Sequence, residues 1–203
     1  MSAQLALLHS DQASLVLECR NDGPPLWRHL GARVEPRDLA PLALGRTPAS
    51  FSLDEDVPFS TAPPSGLGWF GPACLALRQS GQRLVPVFTQ AQVSQTEQAI
   101  RIVLSDAVSG VELVQSIDLL AGGAFRFSAQ VSNRGAAPVE VEQAWLREGR
   151  RGISGHGGAP GIVVLDEGAN HHAGLVHALQ LAWSGDSRIA VERDDEGCWS
   201  ASA

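Results

Sequence analysis

Four histidines crowd the last third of the chain, at His156, His171, His172 and His177, and such a concentration of imidazoles invites a metal site. Spacing argues against it. Successive side chains of a strand point to opposite faces, so His171 and His172 diverge, and the six residues from His171 to His177 span roughly 20 Å. Zinc holds its nitrogen ligands at about 2.0–2.1 Å, and His156 would have to fold back across a loop to join them. The residues therefore imply no metal and no cofactor: His177 reads as a satisfied core histidine and the other three as loop or surface residues.

Two acidic clusters, Asp54-Glu55-Asp56 and Asp194-Asp195-Glu196, hold the groups a glycosidase uses. Such an enzyme needs two carboxyls about 5–9.5 Å apart across one bond. Adjacent acids in a turn read more simply as a solvated charge run, and no catalytic residue is assigned. The glycine-rich stretch 149–161 lacks a following Gly-Lys-Ser/Thr and a strand-to-helix context, so it reads as a loop rather than a phosphate cradle. No nucleophile elbow or Cys/His pair is found. Cys19, Cys74 and Cys198 are odd in number and far apart, which suggests buried free thiols. What remains is Trp69-Phe70, an aromatic pair in the Gly/Pro loop Ser65-Gly66-Leu67-Gly68-Trp69-Phe70-Gly71-Pro72-Ala73. A loop aromatic offers an apolar face to a sugar ring or a neighbouring subunit, so Trp69 and Phe70 are the candidate substrate-binding residues, with local loop packing as the alternative.

The elements that must position these residues are strands. The chain has 203 residues, 44% of them hydrophobic and 18% charged, enough for a sizeable core. It contains no apolar run of the roughly 18 residues that would suggest a membrane helix. The N-terminus, with no basic region and a short apolar run, does not read as a signal peptide, so a cytoplasmic location is expected. Net charge is −7 and all 15 basic residues are arginine, which disfavours nucleic-acid binding.

Short alternating runs recur: Leu5–Leu8, Ser14–Cys19, Cys74–Gln79, Leu84–Gln90, Ala99–Ser105, Gly110–Leu119, Phe125–Ser132 and Val139–Trp145. They arrive about every 10–12 residues between turns, the spacing of an antiparallel sandwich with one wetted face per sheet. Residues 35–68 form a long Pro/Gly-rich loop. The stretch Asn170–Gly197 reads as a hairpin that turns at Ser184-Gly185-Asp186-Ser187. No linker divides the chain, so residues 1–203 are expected to form a single β-sandwich domain.

Several segments carry a family resemblance, in the same order along the chain. Glu148-Gly149-Arg150-Arg151-Gly152-Ile153-Ser154-Gly155-His156 resembles the RRGR-(S/T)-S-H-like segment of bacterial α-galactosidases of glycoside hydrolase family 36. Leu179-Gln180-Leu181-Ala182-Trp183-Ser184-Gly185-Asp186 is similar to that family's L-x-W-S-G-(N/D) strand end, and Gly66–Ala73 to its G-x-G-(D/F)-x-x-P-A loop. Val131-Ser132-Asn133-Arg134-Gly135 resembles its TN-x-G hairpin.

The resemblance implies an all-β antiparallel β-supersandwich that precedes a catalytic (β/α)₈ barrel in the parent enzyme. The barrel carries both catalytic aspartates and no matching nucleophile strand occurs here, so the chain alone is expected to be inactive. The implied partners are an α-galactoside of the melibiose or raffinose type, the barrel and a homo-oligomer, with no nucleic acid and no membrane. The family's sugar-contacting loop aspartate falls on Trp69, which removes that polar contact. Several dozen family residues are expected between Leu146 and Arg147 and are missing, so some strands of the full domain would be absent. Two alternatives are a free-standing carbohydrate-binding module using Trp69 and Phe70, and a mutarotase-like epimerase using His177 with Glu192.

Overall fold

The computed structural model describes residues 4–38, 59–69 and 73–144, and beyond them the strands 147–151, 154–157, 162–166, 176–180, 190–193 and 198–202. The chain divides into two compact units, 1–144 and 145–203.

In the first unit, β1 (Gln4–His9), β2 (Ala13–Cys19) and β3 (Leu26–Ala32) form one antiparallel sheet. A short 3₁₀ turn follows at Pro36–Asp38. Further along the chain come β4 (Leu75–Gln79), β5 (Gln82–Leu84), β6 (Gln90–Gln95), β7 (Ala99–Asp106), β8 (Val111–Leu119), β9 (Phe125–Asn133) and β10 (Glu140–Ala144). They make a second sheet in the order β10-β4-β5 and a third in the order β6-β7-β8-β9. The expected all-β antiparallel sandwich is present.

Alternation explains the core. On β7, Ile100, Ile102 and Leu104 point inward, and register sets them beside Ile117, Gln115 and Leu113 of β8. They join Leu8, Leu15 and Leu17 of the first sheet and Leu77 of the second in one apolar cluster. Burying each such side chain contributes about 1.5–3 kcal/mol before conformational entropy is counted.

Three polar devices support the strands, the first of them joining two sheets. The Gln95 side chain accepts from Leu7 N–H at 3.0 Å and donates to Leu7 C=O at 2.7 Å, occupying the open edge of β1. Arg28 and Glu18 pair across β2 and β3, with the guanidinium Nε 2.6 Å from the carboxylate. At the β7–β8 corner the buried Asp106 carboxylate, 6% exposed, accepts from Val87 N–H at 3.2 Å, Val108 N–H at 3.0 Å and the Ser109 hydroxyl.

In the second unit, β11 (Arg147–Arg151), β16 (Cys198–Ser202) and β15 (Ala190–Arg193) form one sheet in that order. β12 (Ser154–Gly157), β13 (Ile162–Asp166) and β14 (Val176–Gln180) form another. This corrects the hairpin expected over 170–197. Its two strands exist, but they lie in different sheets: β14 takes the β-branched run of β13 as partner, and β15 takes β16. Likewise β10 follows the β9 turn but pairs with β4, through a register shift between Val141 and Gln143. Alternation tells which face a strand buries, and says nothing about which neighbour it finds.

Candidate functional site

The loop that carries Trp69 is built from a strand-like lead-in. Ser60 bridges Leu26 of β3, Trp27 N–H donates to Phe59 C=O at 3.0 Å, and Thr61 N–H donates to Pro25 C=O at 2.8 Å. From the facing sheet the Gln115 side chain, 4% exposed, donates to Thr61 C=O at 2.7 Å. Cys74 N–H closes the far side on Pro63 C=O at 2.9 Å. A buried amide placed among leucines and isoleucines is costly unless paired; the Gln115 amide nitrogen is paired with the backbone that launches the loop, while its Oε1 is buried without a hydrogen-bond partner.

At the tip, Gly66-Leu67-Gly68-Trp69 forms a tight turn. Trp69 N–H donates to Gly66 C=O at 3.1 Å, and the two residues form a β-bridge. The backbone is left-handed at Gly66 (φ 87°), Leu67 (φ 56°) and Gly68 (φ 83°). Positive φ at both central residues is the type I′ pattern, which glycine adopts freely and leucine does not. The Trp69 ring leans on Phe59, with centroids 5.7 Å apart and planes at 38°. An Arg83 guanidinium from β5 donates to the Ser65 hydroxyl. The turn is thus braced from outside itself.

Trp69 is half-buried, and the side chain held out at the tip is Leu67, 64% exposed. The residue types of this loop single out Trp69 and Phe70 and not Leu67, although the two glycines flanking Leu67 are a signal for a left-handed turn. Phe70 lies outside the described residues, as do His171, His172, Trp183, Asp54-Glu55-Asp56 and Asp194-Asp195-Glu196.

The remaining candidates do not assemble. Among the described residues no group of three His, Cys, Asp or Glu could hold a metal ion. His177 pairs with Leu165 on β13, whereas Glu192 pairs with Ser200 on β16. The two therefore do not lie on paired strands, as the epimerase reading required. Cys19 and Cys74 are free thiols. Burial pushes the Cys74 thiol up to about 12 and also raises that of Cys19, so neither is poised as a nucleophile. At Asp106, burial works to raise the pKa, but the Ser109 hydroxyl and the Val108, Val87 and Ser109 N–H groups outweigh it and hold the carboxyl below its ordinary range. Its donors come from its own corner and from Val87, in the segment between β5 and β6, so Asp106 is a structural anchor.

Comparison with known proteins decides the family. The model of the glycosyl hydrolase family 36 N-terminal domain matches residues 23–147 and 143–202. The chain belongs to that family. The match covers the first unit from residue 23 onward and the second unit to residue 202. The two matched pieces meet at 143–147, beside the point where the sequence resembles its family with residues left out. An α-galactosidase of Escherichia coli is 24% identical over 233 aligned positions, covering 97% of this chain and 33% of that protein. The alignment is longer than the chain, so the relative carries residues that this family member lacks.

Solved structures share the fold. A variant of the α-galactosidase AgaA from Geobacillus stearothermophilus in complex with 1-deoxygalactonojirimycin superposes with a TM-score of 0.75 at 18% identity, covering 98% of this chain and 37% of that one. The α-galactosidase of Lactobacillus brevis gives 0.65 at 13% identity, with 98% and 36% covered. The chain spans about a third of the length of the relatives it matches.

Proposed function

We propose that this chain serves as the non-catalytic sandwich of an α-galactosidase that hydrolyses terminal α-galactosides of the melibiose or raffinose type. The observation that carries the reading is the family-domain match across both units, joined to relatives that are α-galactosidases. In this reading the domain packs against a catalytic barrel and supports a homo-oligomer in the cytoplasm. Its braced Leu67–Trp69 turn, together with Phe70, lies at the substrate entrance and offers apolar contact to a sugar face. The break in the match at 143–147 and the surplus of aligned positions support a shortened version of the domain.

The test is direct. The purified 203-residue chain should show no hydrolysis of an aryl α-galactoside, and turnover that survives purification overturns the reading. Titration with galactose and raffinose separates it from a free-standing binding module. A flat isotherm for wild type and Trp69→Ala alike is expected. A wild-type signal lost in Trp69→Ala would assign the module instead.

A further inference from the structure

Strand β9 ends its sheet. One side is zipped to β8 over nine pairs, from Val111 with Asn133 to Leu119 with Phe125. Leu120 N–H donates to Ala124 C=O at 2.8 Å, and Arg134 N–H to Gly110 C=O at 2.7 Å. These two bonds fix the phase of the ladder, because hydrogen-bonded and non-bonded pairs alternate along antiparallel strands. Arg126, Ser128, Gln130 and Ser132 therefore aim their backbone groups at β8, while Phe125, Phe127, Ala129, Val131 and Asn133 aim theirs away. No described strand pairs with that outer side. The edge also lacks the usual guards: it has no proline, no lysine and no register shift against β8, and its one charge, Arg126, is engaged by Asp118 of β8 at 2.9 Å.

We propose that β9 takes β9 of a second copy of this chain, antiparallel, about a two-fold axis at Ala129. That register sets Phe127 opposite Val131 and Phe125 opposite Asn133. Every residue with outward backbone groups then meets another such residue, so N–H and C=O groups can be exchanged in pairs. A pairing displaced to the opposite parity would set outward groups against groups already used by β8. Among pairings of the right parity, the one centred on Ala129 engages all nine residues of the strand. Phe127 and Val131 both pack against the core of their own sheet. Across the axis they lie on the same face, and such apolar cross-strand pairs are stabilising. Arg126 meets Ser132 and Ser128 meets Gln130, so no like charges oppose each other. Two four-stranded sheets would become one of eight strands.

The experiment is sedimentation equilibrium of the 203-residue chain over a concentration series, with hydrogen exchange on the same samples. A monomer–dimer equilibrium is expected, with the amides of Phe127, Ala129 and Val131 slowed in the dimer. The variant Ala129→Pro removes an N–H that points away from β8, so the intramolecular ladder survives. Association should weaken by about tenfold or more, equivalent to at least ~1.4 kcal/mol. Ala129→Lys sets two like charges together on the axis, should weaken association most at low salt, and carries the test if the proline variant fails to fold. A chain that stays monomeric throughout overturns the proposal. So does a dimer unaffected by either folded variant, or one that forms with no protection on β9.

Discussion

Two turns of the first unit display an apolar side chain to solvent and do so at different cost. At the β7–β8 corner Val108 is 97% exposed, and at the loop tip Leu67 is 64% exposed. The corner closes over its own buried carboxylate, and its one left-handed residue is a glycine, Gly110 at φ 70°. The loop tip has no such internal anchor. It is held by Phe59 and Arg83 from elsewhere, and it places a leucine in a left-handed conformation that costs roughly 1–2 kcal/mol. A corner closed over a buried carboxylate that also ties down Val87 is architecture. The tip is strained, exposed and braced from outside itself.

The contrast can be broken most sharply at the corner. Asp106→Ala leaves its donors without their acceptor and should destabilise the fold by about 3 kcal/mol in urea denaturation; a change near zero would show that the corner closes without its carboxylate. The pH dependence has a definite sign. Because the folded pKa is lowered, the contribution of Asp106 is complete above the unfolded value near ~3.9 and is lost as pH falls through the folded value. The stabilities of wild type and Asp106→Asn should therefore converge at acid pH below about 4.

Next is Gly110→Ala. A Cβ there would stand 2.6 Å from the Gly135 backbone nitrogen, and φ is 70°, so a loss of about 2 kcal/mol is expected. At the tip, Gly66 has a similar φ of 87° and nothing within 4 Å of a built Cβ. Gly66→Ala should cost only about 1 kcal/mol, the conformational part alone. Equal losses at the two glycines would erase the distinction between a crowded corner and an open tip. The smallest expected effect is a gain. Leu67→Asn, which tolerates the left-handed region, should raise stability by about 0.5 kcal/mol. A loss would show that Leu67 packs as an ordinary structural residue.

Much of this was legible in the sequence, because period-two alternation is a local property. Leu113 and Ile117 on β8, or Ile100 and Ile102 on β7, announce both strand and buried face. Pairing was less legible. β14 and β15 looked like hairpin partners because a turn-rich segment joins them, yet the apolar run Ile162–Asp166 is the partner β14 adopts. At the candidate site the aromatic residues drew attention by type. The backbone sign at Leu67 and the ring of Phe59 behind Trp69 are set by chain geometry ten residues apart, which composition does not reveal. Asp106 read as one more turn residue, because its burial depends on Val87 arriving from 19 positions upstream.

The Gln95 amide on Leu7 has a consequence for solubility. The open side of β1 is occupied by a side chain from another sheet rather than by a strand, so it stays covered only while the two sheets remain together. Any opening of the sandwich would uncover β1 at the moment the apolar interior is wetted. Partial unfolding and the onset of precipitation should then share one threshold, and Gln95→Ala, by removing the amide cover, would lower it.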